Sequence, residues 1–166
     1  MEFTTHVEID APPERVWDVL IDFDRYHEWN PFMRVAGRAN ENAHLHVELF
    51  PPGGRATRFR PTVTEADPGR ELRWLGHLWT PGLFDGEHRF VLTPLDGGIR
   101  TSLTHAESVS GVLVPVVWRL VGAATERGFE AMNAALKARV ESMGFDSEGG
   151  DRLDDATSPE APASNR

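Results

Sequence analysis

Phe3, Thr5, Val7 and Ile9 alternate with their neighbours, so residues 2–9 predict a strand with one buried face. The stretch Ala11-Pro12-Pro13-Glu14 then opens a helix, because a first turn leaves the N–H that proline lacks unpaired anyway. Val16, Trp17, Leu20 and Ile21 follow at helical spacing. Asp22 to Pro31 predicts a second short helical or turn element. Pro31 ends it, since the residue before a proline avoids the α region.

Six strand signals come next. They are Met33–Ala39, Leu45 with Val47 and Leu49, Phe59 to Val63, Leu72 to Leu78, Phe90 with Leu92, and Ile99 to Glu107. Turn residues separate them, as in Pro51-Pro52-Gly53-Gly54, Asp67-Pro68-Gly69, Thr80-Pro81-Gly82 and Asp96-Gly97-Gly98. Short strands at this spacing read as an antiparallel meander. From about Pro115 to Met143 the period becomes helical. Val117, Leu120, Val121, Ala124, Gly128, Ala131, Met132 and Ala135 share one arc, with Arg119, Glu126, Arg127, Glu130, Lys137 and Glu141 opposite. Gly144 reads as the stop. The predicted class is α+β: a curved antiparallel sheet of about seven strands around a long C-terminal helix, with two short helices after the first strand. Such a sheet leaves an interior gap unless bulky side chains fill it. The small residues Ala124, Gly128, Ala131 and Ala135 allow either close packing or a ligand cavity.

Composition narrows the function classes. The chain has 166 residues, no cysteine and a formal net charge of −9. One ordinary domain is expected, without a disulfide scaffold, a thiolate metal site or a cysteine nucleophile. The acidic balance argues against a nucleic-acid binder, and no apolar run approaches the roughly 20 residues that cross a bilayer. The first residues are acidic and alternating, unlike a signal peptide, so a cytoplasmic location without stable membrane insertion is the expectation. From Asp146 onward there are six acids, two arginines, one leucine and no aromatic residue. Residues 1–144 are therefore expected to form the domain and 145–166 a disordered acidic tail that serves solubility, with partner binding the alternative.

Three stretches resemble a known superfamily. PPERVWDVLIDFDRYHEWNPF is similar to the opening of START-like, or SRPBCC, proteins. GLFDGEHRFVLTPLDGGIRTSLTHAESVSGVLVP and RGFEAMNAALKARVE resemble one bacterial branch of them. The resemblance spans nearly all of residues 1–143. It implies the helix-grip fold of polyketide cyclase/dehydrase-like proteins and a cavity for a hydrophobic small molecule between sheet and C-terminal helix. Relatives include cyclases or dehydratases, carriers of lipids or quinones, and activators of chaperones, so fold likeness leaves the activity open.

The most informative constellation lies on the last two strand signals. His88, Phe90 and Leu92 share a face, as do Leu103, His105 and Glu107. A tight turn at Gly97-Gly98 pairs positions that sum to about 195. Leu92 then faces Leu103, Phe90 faces His105, and His88 faces Glu107. The apolar members turn this face toward the helix, which aims two histidines and a carboxylate into the cavity. His88 with Glu107 is expected to form an ion pair or hydrogen bond. It serves as a ligand contact, as a structural pair, or, in an enzyme, together with His105 as acid/base machinery. Burial and a nearby carboxylate push the His88 pKa in opposite directions, so its sign stays open here.

Other candidates surround this pair. Leu72, Trp74, Gly76 and Leu78 face inward, with Arg73, Leu75, His77 and Trp79 outward or on the rim. Trp118, Val121, Thr125, Gly128 and Met132 bring the helix to the ligand, and Trp118 and Phe129 mark one edge of its arc. Tyr26 and Trp29 fall in the segment that resembles the family's cavity entrance. Trp79–Asp85 reads as a lid with Leu83 and Phe84 as its apolar rim. His44, His46 and Glu48 make an H-x-H-x-E pattern, but Leu45, Val47 and Leu49 claim the buried side. No metal site and no cofactor are expected. A phosphate loop and a nucleophile elbow are both missing from the sequence. The leading expectation is binding or carriage of a lipid, quinone or polyketide-like aromatic ligand. A cyclase or dehydratase using the His/Glu pair is the alternative, and a protein-interaction module a further one, with no partner specified.

Overall fold

The computed structural model describes residues 1–78 and 80–148, and the side chains of all of these but 120, 121 and 144–148. Strand β1 (Glu2–Ile9) leads into helix α1 (Pro13–Ile21), a 3-10 turn (Phe23–Arg25) and helix α2 (Tyr26–Trp29). Strands β2 (Met33–Ala36), β3 (His46–Leu49), β4 (Thr57–Phe59), β5 (Thr62–Asp67), β6 (Glu71–His77), β7 (Asp85–Leu95) and β8 (Arg100–Ser110) follow, then helix α3 (Val114–Glu148). This is the α+β arrangement the hydrophobic pattern predicts, with the long helix last and two short helices after the first strand.

The meander is less simple than expected. The predicted strand from Phe59 to Val63 is two strands, β4 and β5, broken at Arg60-Pro61. Pro61 has no N–H to extend a ladder. The sheet divides there into a five-stranded part, β1-β8-β7-β6-β5, and a three-stranded part, β2-β3-β4. The two stay joined at the corner. Leu45 N donates to Pro61 O and Val63 N to Ala43 O, each at 2.9 Å, with an isolated bridge between His44 and Thr62. The β7–β8 register is the predicted one: His88 pairs with Glu107, Phe90 with His105 and Leu92 with Leu103. Each inward residue is thereby brought opposite an inward partner.

α3 also departs from its predicted arc. Its fully buried side chains are Phe129, Met132, Leu136 and Val140, with Asn133 among them at 5 % exposure. The buried stripe is turned away from Ala131 and Ala135, which are only half-buried. Counting apolar residues alone missed this, because a polar residue lies inside the stripe. The helix also continues through Gly144 to Glu148. One internal glycine costs about 1 kcal/mol of helix propensity, too little to stop a helix unaided. The expected acidic tail lies outside the described residues from 149 onward.

The C-terminal half of α3 closes the core against β1 and α1, where Ile9, Val16, Leu20, Leu103 and Met132 are buried. Its N-terminal half does not close on the sheet, and the space beneath it is the site described next.

Candidate functional site

A cavity of about 620 Å³ lies between the N-terminal half of α3 and the concave sheet. Val117, Trp118, Ala124 and Thr125 form its helical wall. Trp74 and Gly76 of β6, Gly86 and His88 of β7, and Glu107 and Val109 of β8 form the wall opposite. Met33, Val47, Leu49 and Phe59 come from the smaller sheet, and the Pro51–Arg55 loop rims the space. Phe32 and Phe129 also line it, packed edge to face with centroids 5.7 Å apart. The volume and largely apolar lining suit a small organic molecule.

One polar chain interrupts the apolar wall. Glu107 Oε2 is 2.6 Å from His88 Nδ1. His88 Nε2 is 2.7 Å from His105 Nε2, and His105 Nδ1 is 2.8 Å from Asn133 Oδ1. Asn133 Nδ2 donates to Thr5 Oγ1 at 2.8 Å, and the Thr5 hydroxyl donates to His105 O at 3.2 Å. Three strands and α3 are thus tied through one string of side chains. Aromatic rings enclose it: Trp74 stacks on His88 with centroids 5.0 Å apart, and Phe129 stacks on His105 at 4.0 Å. Phe90 covers His105 at 4.4 Å.

This enclosure sets the protonation. Burial pushes the Glu107 carboxyl up to about 8 and His88 down to about 3. His105 is held well below the histidine range by burial first and by the neighbouring His88 second, against an upward pull from its bond with Asn133. The opposition left open by the sequence is therefore decided in favour of burial. At neutral pH both imidazoles are neutral and Glu107 keeps its proton.

Gly86 makes room for this arrangement. A Cβ at that position would lie 2.5 Å from Glu107 Oε1. At Gly128 a Cβ would run into the Phe32 ring. The small residues of α3 therefore serve two ends: Ala124 faces the cavity, and Gly128 admits an aromatic ring.

Residues 1–141 match the family described as polyketide cyclase / dehydrase and lipid transport. The chain belongs to this family. No curated protein matches it. Among solved structures it is similar to the Zhui aromatase/cyclase from Streptomyces sp. R1128, at 17 % identity and a TM-score of 0.71 over 90 % of this chain and 98 % of that one. It is also similar to a START superfamily protein from Mycobacterium smegmatis, at 24 % identity and a TM-score of 0.66 over 86 % and 98 % of the two chains. A protein from Thermus thermophilus aligns at 18 % identity and a TM-score of 0.67 over 86 % and 99 %. At these identities the likeness establishes the helix-grip fold.

Within this family member the predicted residues divide. Trp74, Leu78, Phe84, His88, Glu107, Trp118 and Thr125 line the cavity. Phe90, Leu92, Leu103, His105 and Met132 do not. They are buried in the core, where α1 and α3 pack on the sheet. Gly128 is covered by Phe32 rather than open to a ligand. Tyr26 is not at an entrance: it is fully buried and donates to Leu20 O at 2.6 Å. Trp29 packs against Tyr26, with centroids 4.8 Å apart. Leu83 does not line the cavity, and its carbonyl accepts from Leu113 N at 3.0 Å. The Val121 side chain and Trp79 lie outside the described residues. His44 and His46 are exposed, as the alternation predicts. Among the described residues no group of three or more His, Asp or Glu is placed to hold a metal ion, and no helix is long and apolar enough to cross a membrane.

Sequence reasoning missed Thr5 and Asn133, the far end of the polar chain. Both carried a signal. Thr5 is the polar member of an inward alternation, and Asn133 stands four residues after Phe129. It also missed the contribution of the β2–β4 sheet, since nothing local shows which way that sheet folds over.

Proposed function

We propose that this protein binds a hydrophobic small molecule of lipid, quinone or polyketide-like aromatic type in the cavity under α3. The observation that carries this reading is a cavity of about 620 Å³ with a largely apolar lining, set beside a fully buried core. Membership in a family described by polyketide cyclase, dehydrase and lipid transport activities supports the same class of ligand. The test is native mass spectrometry of the freshly purified full chain, then organic extraction. A retained small molecule, or saturable quenching of Trp74 and Trp118 fluorescence by an aromatic, quinone or acyl probe, is the expected result. A chain that is ligand-free and unresponsive across all three probe classes overturns it.

A second reading, cyclase- or dehydratase-like chemistry, is favoured by one feature. Glu107 lines the cavity with a carboxyl that titrates at about 8. On this reading the proton-moving group is Glu107, and His88 and His105 position it, because both imidazoles are too buried to take up a second proton at neutral pH. The roles expected from the sequence are then exchanged. Turnover of an extracted ligand that is lost in Glu107→Gln while binding persists distinguishes an enzyme from a carrier.

A further inference from the structure

Every hydrogen in the polar chain can be placed by direction alone. The Thr5 hydroxyl is committed to His105 O, so Thr5 Oγ1 accepts from Asn133 Nδ2. That turns Asn133 Oδ1 toward His105 Nδ1, which therefore carries a hydrogen. The two Nε2 atoms, 2.7 Å apart, hold one hydrogen between them, since two lone pairs or two N–H groups facing each other repel. The same reasoning puts one hydrogen between His88 Nδ1 and Glu107 Oε2 at 2.6 Å. Three contacts thus hold three hydrogens. They can shift within their bonds; burial favours neutral partners over a Glu107–His88 ion pair, and in either arrangement the other carboxyl oxygen, Oε1, is left bare.

Glu107 Oε1 makes no hydrogen bond among the described residues, and Glu107 lines the cavity beside Gly86. A bare carboxyl oxygen in an apolar wall is an acceptor without a donor, and it discriminates strongly between ligands that supply one and ligands that do not. We infer that Glu107 Oε1 is a specificity subsite for a hydroxyl donor, so that the ligand is an apolar molecule whose phenolic or enolic O–H reaches this oxygen. The inference rests on the ligand-binding reading above and narrows it: a hydrocarbon chain, a quinone lacking O–H, or a methyl ether fills the cavity but leaves the oxygen unpaired. His88, His105, Asn133 and Thr5 are positioning residues that hold the oxygen in place and reserve it for the ligand.

A matched pair of probes tests this, 1-naphthol and 1-methoxynaphthalene, titrated against the full chain at pH 7 by calorimetry. The naphthol should bind at least tenfold tighter than its ether. Glu107→Met, with nothing to accept the hydroxyl, should abolish that preference while the ether still binds. Glu107→Gln should restore it, because the carboxamide N–H can donate to His88 Nδ1 and leave its own oxygen free. Thermal melts of each variant establish that it is folded. Equal affinity of the two probes for the wild type, or a preference that survives in Glu107→Met, overturns the subsite while leaving cavity binding intact. Failure of both probes to bind counts against the ligand-binding reading, and the subsite falls with it.

Discussion

Glu107 is the residue whose protonation differs most usefully between the folded and unfolded chain. Unfolded, it ionises near 4.5; folded, near 8. Between those values the folded state holds the extra proton, so its contribution to stability is full below 4.5 and is lost as pH rises through 8. His88 acts in the opposite sense, with an unfolded value near 6.5 and a folded one near 3. Its contribution is present above 6.5 and is lost as pH falls, and His105 shifts in the same direction. Two histidines outweigh one carboxyl on the acid side, and Glu107 acts alone on the alkaline side. Stability should peak near pH 6.5 and drop by on the order of 1–2 kcal/mol by pH 8. Thermal melts across this range check it: Glu107→Gln should lose the alkaline fall and keep the acid one. Gly86→Ala provides a second test, since the new methyl displaces Oε1 and pulls the carboxyl from His88. It should cost about 1–3 kcal/mol and leave the alkaline limb in place, because burial and not the His88 contact raises the Glu107 pKa. At this scale the His88–Glu107 pair was legible from alternation and a turn. Asn133 was not, because it is brought there by packing of a helix 28 residues away from His105 in sequence.

At the scale of elements, α3 does two jobs along its length. Its C-terminal half is core, and its N-terminal half is the lid of a cavity. Gly128 sits at the change-over, against the ring of Phe32. Replacing glycine with alanine in a helix ordinarily gains about 1 kcal/mol. Here the added methyl collides with a ring that is itself wedged against Phe129, and overpacking of this kind costs about 1–3 kcal/mol. Gly128→Ala should therefore lower the melting temperature, and Phe32→Leu in the same chain should recover part of the loss. A Gly128→Ala protein that melts higher than wild type contradicts the contact. The long helix and all the β6, β7 and β8 strands were legible in the sequence from periodicity. The break at Pro61 was masked by a continuous run of strand-forming residues on both sides of it.

For the whole molecule, the cavity and the C-terminal extension make separate predictions. A ligand at about 100 times its dissociation constant adds roughly 2.7 kcal/mol of stability. In a domain of this size that corresponds to an upward shift of about 5–10 °C in melting temperature, so differential scanning fluorimetry of probe-bound chain should show it. Shortening the chain after Glu148 should leave the melting temperature of the apo protein nearly unchanged, because the residues removed hold one leucine and no aromatic ring. A loss of several degrees would mean that this segment packs on the domain.

The sequence by itself determined the order of elements apart from the break at Pro61, the buried faces of β1, β3, β6, β7 and β8, and the β7–β8 register that sets His88 against Glu107. These are local properties: a period of two, a period of 3.6, and a turn that counts residues back along a hairpin. Which residues line the cavity was a tertiary decision. Phe90, Leu92, Leu103 and His105 share a face with His88 and Glu107, yet the first four are buried in the core where α1 and α3 pack on the sheet, and the last two line the cavity. The rotation of α3 is set by the fit of Phe129 onto His105 and of Asn133 onto its hydrogen-bond partners. The protonation of the site follows from the same enclosure, because desolvation depends on what lies on every side of a group and not on its neighbours along the chain.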